Sequence, residues 1–447
     1  MQPADEKRLE KYMGSNGQVF KTRTHNKMGI SLQYVKGLFQ SRKGNIERMA
    51  EHVVDSDYYR MQHFISESPW DARAGFDKVA KDTNAIFQDF ELVGLLLDES
   101  SHAKKGEHSV GVSRQYCGNT GKVDNCQVAV YAALSAEKYY GLIDTALYMP
   151  QSWTSDRKRC KAAGVPKENR KHKTKVELAL DIVKHQLAIG TAFDFVGADG
   201  LYGNSYWFRQ QLDELELLYV LEVHKDQFVY TTPPVLYLPE KQGERGRTPS
   251  RYKTEHKSVE VQALCPPRGS NKWKHIRLRK TGKGDLVCMG YVQTVYTWDG
   301  ESANWSEHQL IIRATKTKNG NWEYKYALSN AAEDEFPIED LVRMQSQRYF
   351  VERSFQDAKQ EAAMSDYQVR GWLAWHHHMV LVMMALHFIL SEKILFQNEY
   401  PLLSAYDIRD IMIRTYSKKG DNMPSILEQI RKRHQQRSHE KANKGPS

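Results

Sequence analysis

The chain reads as a mixed α/β protein, and three observations lead there. Between residue 89 and about residue 226, β-prone apolar runs and helical runs follow one another in the order β-β-β-α-β-α-β. Two of those apolar runs end on aspartate: Glu91-Leu-Val-Gly-Leu-Leu-Leu-Asp98 and Phe193-Asp-Phe-Val-Gly-Ala-Asp199. The third observation is a late helical stretch, Arg348 to Lys359, free of Gly and Pro and rich in good helix formers. At about 100° per residue, Arg348, Glu352 and Lys359 fall within roughly 40° of one another. One stripe therefore carries a carboxylate between two cations.

Residues 1–88 look helical and form the expected N-terminal domain. Asn45 to Val54 has helical apolar spacing, Tyr59 to Ile65 suggests a second helix, and Pro69-Trp-Asp-Ala-Arg a helix start. This pattern suits reading DNA, packing or dimerisation equally. The core begins at 89, with strands near Leu92–Leu97, Gln127–Leu134 and Tyr139–Tyr148. A helix at Lys175–Ile189 precedes the strand Phe193–Ala198. The turn Asp199-Gly-Leu-Tyr-Gly203 leads to a helix at Ser205–Leu215, and a strand at Leu218–Val223 closes the first part of the core at 226. From 227 to 323 Pro, Gly, Thr, Lys and Arg rise and β-prone stretches appear, such as Leu286–Trp298 and Gln309–Ala314. This is a basic, β-rich insertion. The core resumes over 324–395 with the Glu352 helix, and 396–447 should hold short helices and a basic, disordered tail after about Ser438.

Net charge is +9, but its distribution says more than its total. Arg157–Lys175 carries a net +8, Lys241–Lys283 a net +10 and Lys418–Ser447 a net +5, so the rest of the chain is net −14. Basic residues concentrated in a few windows are the electrostatic footprint of a nucleic-acid binder. The five cysteines are widely spaced, with no Cys-x-x-Cys pair, which argues against a zinc site or a disulfide framework and for a reducing cytosol. The first residues lack the apolar region of a signal peptide. The longest apolar run, Met379 to Leu390, is too short to span a membrane and suits a buried helix. Consecutive helical residues diverge by about 100°, so His376, His377 and His378 cannot jointly ligate one ion. Thr281-Gly-Lys-Gly-Asp285 lacks the spacing of a phosphate-binding loop and reads as a turn.

Asp98, Asp199 and Glu352 are three carboxylates far apart in sequence. Brought together, they supply hard oxygen ligands for a pair of divalent cations, while Arg348 and Lys359 supply donors for phosphate oxygens. Here the sequence resembles the DDE transposases of bacterial insertion sequences. One large branch carries the signature Y-x2-R-x3-E-x6-K, and this chain has Arg348-x3-Glu352-x6-Lys359, with Gln345 where the signature has Tyr. Similarity extends through Asp98-Glu-Ser-Ser-His-Ala-Lys104-Lys-Gly106, Ser109-Val-Gly-Val-Ser-Arg114, Gly121-Lys-Val-Asp-Asn125 and Ala198-Asp199-Gly-Leu-Tyr-Gly203.

The resemblance implies a ribonuclease H-like mixed sheet with flanking helices, in which the first and fourth strands are neighbours and set Asp98 beside Asp199. It implies two Mg²⁺ ions, with Mn²⁺ as a substitute, held by Asp98, Asp199 and Glu352. Arg348, Lys359, Lys104, Lys105 and Arg114 become the DNA-phosphate candidates, and Asn125 a candidate for holding the site loop. Glu99 and Asp124 could assist the site as outer acids. Trp273, Trp298, Trp305 and Trp322 of the insertion are available to stack on an unpaired base. The implied activity is cut-and-paste transposition: a homodimer on double-stranded DNA binds terminal inverted repeats, cuts them and joins the 3′ ends to target DNA. A hairpin intermediate and a bacterial, nucleoid-associated cytoplasmic location follow from the same resemblance. A ribonuclease H-like structure-specific nuclease without strand joining, and a non-catalytic DNA-binding descendant, are the alternatives.

Overall fold

The computed structural model describes residues 2–41, 43–241, 248–281, 284–317 and 319–418, with 427, 428, 430, 431, 434 and 435 beyond them. The tail expected to be disordered after Ser438 lies outside the described residues. Five helices come first: α1 (Glu6–Ser15), α2 (Met28–Gln40), α3 (Ile46–His52), α4 (Tyr58–Ser66) and α5 (Ala72–Phe87). Asp5, Asn45, Asp57 and Asp71 cap α1, α3, α4 and α5 by accepting backbone N–H groups of the first turn.

Strands β1 (Gly94–Ala103), β2 (Ser113–Cys117), β3 (Lys122–Ala136) and β4 (Tyr139–Leu147) follow. Two short helices, α6 (Gln151–Thr154) and α7 (Arg157–Ala162), precede α8 (Lys175–Ala188), which opens on a capping box between Thr174 and Glu177. Next come β5 (Phe195–Ala198), α9 (Gly200–Gly203), α10 (Tyr206–Glu214) and β6 (Tyr219–Val223). Strand β2 was not expected from the sequence. Its alternating half-buried and exposed residues place it at a sheet edge, where the apolar run that marks a central strand is absent.

β1 lies between β3, antiparallel to it, and β5, parallel to it; β6 continues parallel to β5. β4 and β2 both pair with β3 on the side away from β1. This is the neighbour relation of the ribonuclease H-like expectation. The β-rich stretch supplies β7 (Phe228–Val229), β8 (Val259–Glu260), β9 (Lys274–Thr281), β10 (Gly284–Thr297), β11 (Ser306–Lys316) and β12 (Trp322–Ser329). β12 pairs antiparallel with β6, and β11, β10 and β9 add outward in turn, so one sheet of ten strands runs through both parts of the chain. The expected turn after Thr281 joins β9 to β10; its residues 282 and 283 lie outside the described ones.

The last helices are α11 (Ile338–Gln347), α12 (Tyr349–Glu361), α13 (Trp372–Leu395) and α14 (Ala405–Thr415). The stretch expected as one helix from Arg348 begins instead at a junction: Arg348 ends α11 and starts α12, with φ −51° and ψ −30°. Helices α8 and α10 cover one sheet face and α11, α12 and α13 the other. α13 is apolar on all sides and buried, as Met379–Leu390 suggested, with α2, α4 and α5 packed on it. The three histidines of α13 go to different partners. His376 bonds the Trp372 carbonyl, His377 the Ile65 and Trp70 carbonyls, and His378 the Tyr34 hydroxyl.

Candidate active site

Leu97 of β1 is in register with Ala198 of β5, and Ala198 with Leu221 of β6. The next residue after each of these is acidic, so Asp98 within β1, Asp199 just past β5 and Glu222 within β6 lie at one level on three adjacent parallel strands. Carboxyl ends of parallel strands are where open α/β sheets gather ligands. Local bonds fix two of the three. Asp98 accepts the Glu99 N–H at 2.7 Å, and Asp199 caps α9 by accepting the Leu201 N–H at 3.0 Å. Gly203 packs so closely on the Glu222 carbonyl that a Cβ there would overlap it, which ties the Asp199 turn to β6.

Arg348, at the α11–α12 junction, reaches three of the site's acids. Its guanidinium lies 3.3 Å from Asp98, 2.8 Å from Glu222 and 2.5 Å from Glu352. The contact from Nε to Glu222 is an ion pair without hydrogen-bond alignment. Burial works against the charge of Arg348, but Glu222, Glu352 and Asp98 more than offset it, and its pKa is raised. Asp98 behaves oppositely. Burial, then the Asp199 charge, push its carboxyl up to about 8, with Arg348 offsetting only part. Asp199 is raised by burial and by Glu99. Glu99 is itself held by Lys175 at 2.9 Å and by the Tyr202 hydroxyl at 3.0 Å.

Two carboxylates on neighbouring strands, both pushed toward their neutral forms by burial and negative neighbours, fit a divalent cation. Glu352 is half exposed and stands across Arg348 from them. Among the described residues no three His, Cys, Asp or Glu side chains surround a single metal position. The pair Asp98–Asp199 is the part of the acid set that fits as it stands.

A cleft of about 530 Å³ opens here, lined by Asp98, Glu352, Lys359, Lys175, Tyr116 and Asn119 among others. Lys359 has its pKa lowered by burial, against the pull of Cys117 and Asp98. Arg114 is exposed on β2, two residues from Tyr116 and so on the same strand face. Lys104 and Lys105 line a different cleft, with Tyr34, Asn45 and Arg370. Lys104 bonds the Tyr367 carbonyl at 3.1 Å and sits 3.4 Å from the centre of its ring; burial lowers its pKa to about 8. Asn125 holds the loop after β1 by donating to the Lys104 and Gly106 carbonyls.

Two other acids on α12 have structural partners: Asp357 takes the Tyr140 hydroxyl and Arg353, and Glu361 takes Arg409. Of the four insertion tryptophans, Trp305 is the exposed one and Trp273 is buried. Glu222 was not singled out in the sequence. Its signal was a carboxylate at the end of the apolar run Leu218–Val223, the same pattern that marked Asp98 and Asp199.

Residues 18–285 match the family model described as DDE superfamily endonuclease, a region that holds Asp98 and Asp199 and ends before Glu352. Over 195 residues the chain is 32% identical to a probable transposase for insertion sequence element IS701 from Microchaete diplosiphon. That alignment covers 43% of this chain and 47% of the relative, so the chain spans about half the length of the curated protein it matches. Among solved structures, a cryo-EM structure of a piggyBac transposase synaptic complex with hairpin DNA aligns with a TM-score of 0.40 and 12% identity, over 96% of this chain and 78% of that one. With more than half of its length matched by the family model, the chain belongs to the DDE superfamily endonucleases.

Proposed function

We propose that this protein is a cut-and-paste DNA transposase, cutting phosphodiester bonds at the terminal inverted repeats of an insertion sequence and joining the freed 3′ ends to target DNA. The observation that carries the reading is Asp98 and Asp199 side by side where the parallel pairing of β1 with β5 stops, with Glu352 one arginine away. Family membership implies divalent-metal chemistry; we assign Mg²⁺, two ions, with Mn²⁺ able to substitute. Asp98, Asp199 and Glu352 would hold them. When bound, the ions supply an activated water or 3′-hydroxyl and stabilisation of the leaving oxygen.

The chain's own residues do the rest. Arg348 holds Glu352 toward Asp98 through paired contacts and offers donors to phosphate oxygens beside the reacting bond. Lys359, in the cleft and poorly solvated, binds an adjacent phosphate. Arg114 takes a more distant phosphate at the exposed sheet edge, and Lys104 and Lys105 contact DNA at their separate cleft. The N-terminal helices (1–88) and the basic stretch 227–323 share recognition of the ends, and a homodimer holds two ends together.

The experiment is cleavage and strand transfer on labelled DNA carrying the repeats that flank the encoding locus, with Mg²⁺, with EDTA and with Glu352→Gln. Metal-dependent cutting plus joined product, both lost by at least 10²-fold in the variant while end binding persists, is expected. Binding without cutting by the wild-type protein would overturn the enzymatic reading. Cutting without joining would make it a nuclease.

A further inference from the structure

Two arginines on the sheet extension lack the acidic partner that their neighbours have. Arg277 pairs with Asp285 at 3.1 Å, Lys274 with Glu339 at 2.7 Å and Arg343 with Asp340 at 2.8 Å. Arg313 and Arg279 have no carboxylate within ion-pair distance among the described residues. The Arg313 guanidinium is largely buried, its Nε has no acceptor, and its one hydrogen bond, to Thr315 Oγ1, is long at 3.5 Å. Arg279 lies against the Tyr349 and Phe350 rings, 4.9 and 4.8 Å from their centres, and Tyr349 is exposed.

Register places both arginines on the sheet face that carries the acids. Ala327 of β12 stands opposite Glu222, so Lys325, two residues away, shares that face and approaches Glu222 to 3.8 Å. Arg313 of β11 stands opposite Lys325 and opposite Gly290 of β10. Beyond a register shift between Val287 and Leu286, Leu286 of β10 stands opposite Arg279, and the packing of Arg279 on the Tyr349 and Phe350 rings of α12 sets it on that same face. Side chains opposite one another in an antiparallel pair share a face, as do those separated by an even number along a strand. Electrostatically the arginines form a series: Arg313 is repelled by Arg348, and Arg279 by Arg313. Glu222 attracts Arg313, but it is already engaged by Arg348 and Lys325.

A buried guanidinium without an anion is costly, and planar guanidinium forks match phosphate oxygens. We propose that Arg313 and Arg279 form a phosphate site, which takes a backbone phosphodiester of the DNA strand passing from the carboxylates onto the β-extension. The proposal deepens the DNA-cutting reading and rests on it for the identity of the strand.

The test has two arms on the full chain, comparing wild type with Arg279→Gln/Arg313→Met. In the first, anisotropy with a labelled repeat-bearing duplex over a KCl series gives the slope of log affinity against log salt. The variant should lose about 1 from that slope, one phosphate contact being worth roughly 0.9. In the second, thermal unfolding in inorganic phosphate is compared with KCl at equal ionic strength. Phosphate should raise the wild-type midpoint and leave the variant unmoved. Equal slopes and equal phosphate responses would overturn the site. A phosphate response without any DNA binding would keep the site and sink the DNA reading. As a folding control, Arg313→Met alone should be at least as stable as wild type in KCl; a variant that fails to fold would show that the charge is already compensated and would also overturn the proposal.

Discussion

Replacing Asp98 by Asn should stabilise the metal-free protein while removing the proposed cutting activity. The side chain of Asp98 is 13% exposed, and burial together with Asp199 pushes its carboxyl from 3.8 up to about 8. Each pH unit of displacement corresponds to about 1.4 kcal/mol. The sign follows from linkage. With the folded value above the unfolded one, the folded chain holds the proton more tightly, so stability is lost as pH rises from about 4 to about 8. At pH 8 the cost of the carboxylate has a ceiling of roughly 5 kcal/mol. Asn keeps the acceptor for the Glu99 N–H, and Arg348 retains Glu222 and Glu352 as partners. The net gain should be smaller than the ceiling, about 2 kcal/mol or more at pH 8, and should shrink toward zero near pH 4. The Asp199 charge is part of what raises Asp98, so the two carboxyls are coupled to the same event. The assay is urea unfolding of both proteins in EDTA at pH 4.5, 6, 7 and 8. Adding Mg²⁺ at ten times its dissociation constant should then stabilise wild type by about 1.4 kcal/mol and leave Asp98→Asn unchanged. A variant less stable than wild type at pH 8 in EDTA, or a difference that ignores pH, would refute the reasoning.

Two further predictions concern the groups around that pair. Arg348→Gln leaves Asp98 and Glu222 buried without their main cation, so urea unfolding at pH 8 should show a loss of roughly 3–5 kcal/mol, smaller at pH 4.5 where the carboxyls take up protons. A loss that grows toward acid pH would contradict the ion-pair account. Gly203→Ala puts a methyl group into the Glu222 carbonyl, so it should cost about 2 kcal/mol or more and lower cutting through displacement of the Asp199 turn; a variant as stable as wild type would mean that α9 and β6 are not locked together.

The sequence carried the local part of this structure because the local signals were strong. Apolar runs ending in Asp98 and Asp199 became β1 and β5. The Thr174–Glu177 capping box opened α8, and the Gly-free stretch after Arg348 became α12. The charge stripe Arg348–Glu352 follows from helical spacing alone, and the ion pair is there at 2.5 Å. The pairing of β1 with β5 and of β6 with β12, and the placement of Arg348 beside Asp98, depended on contacts between residues more than a hundred positions apart. Tertiary structure alone set Glu222 level with Asp199, because a strand's last residues reveal their neighbours only once register is fixed. It moved Lys104 onto the Tyr367 ring and away from the acids, although Lys104 directly follows the strand that carries Asp98. It also turned the basic, β-rich stretch into an extension of the core sheet, since edge pairing with β6 satisfies backbone groups that sequence composition does not register. Two arginines without acidic partners on that extension came from the same cause: a residue's type fixes its charge, but only packing decides whether that charge is matched.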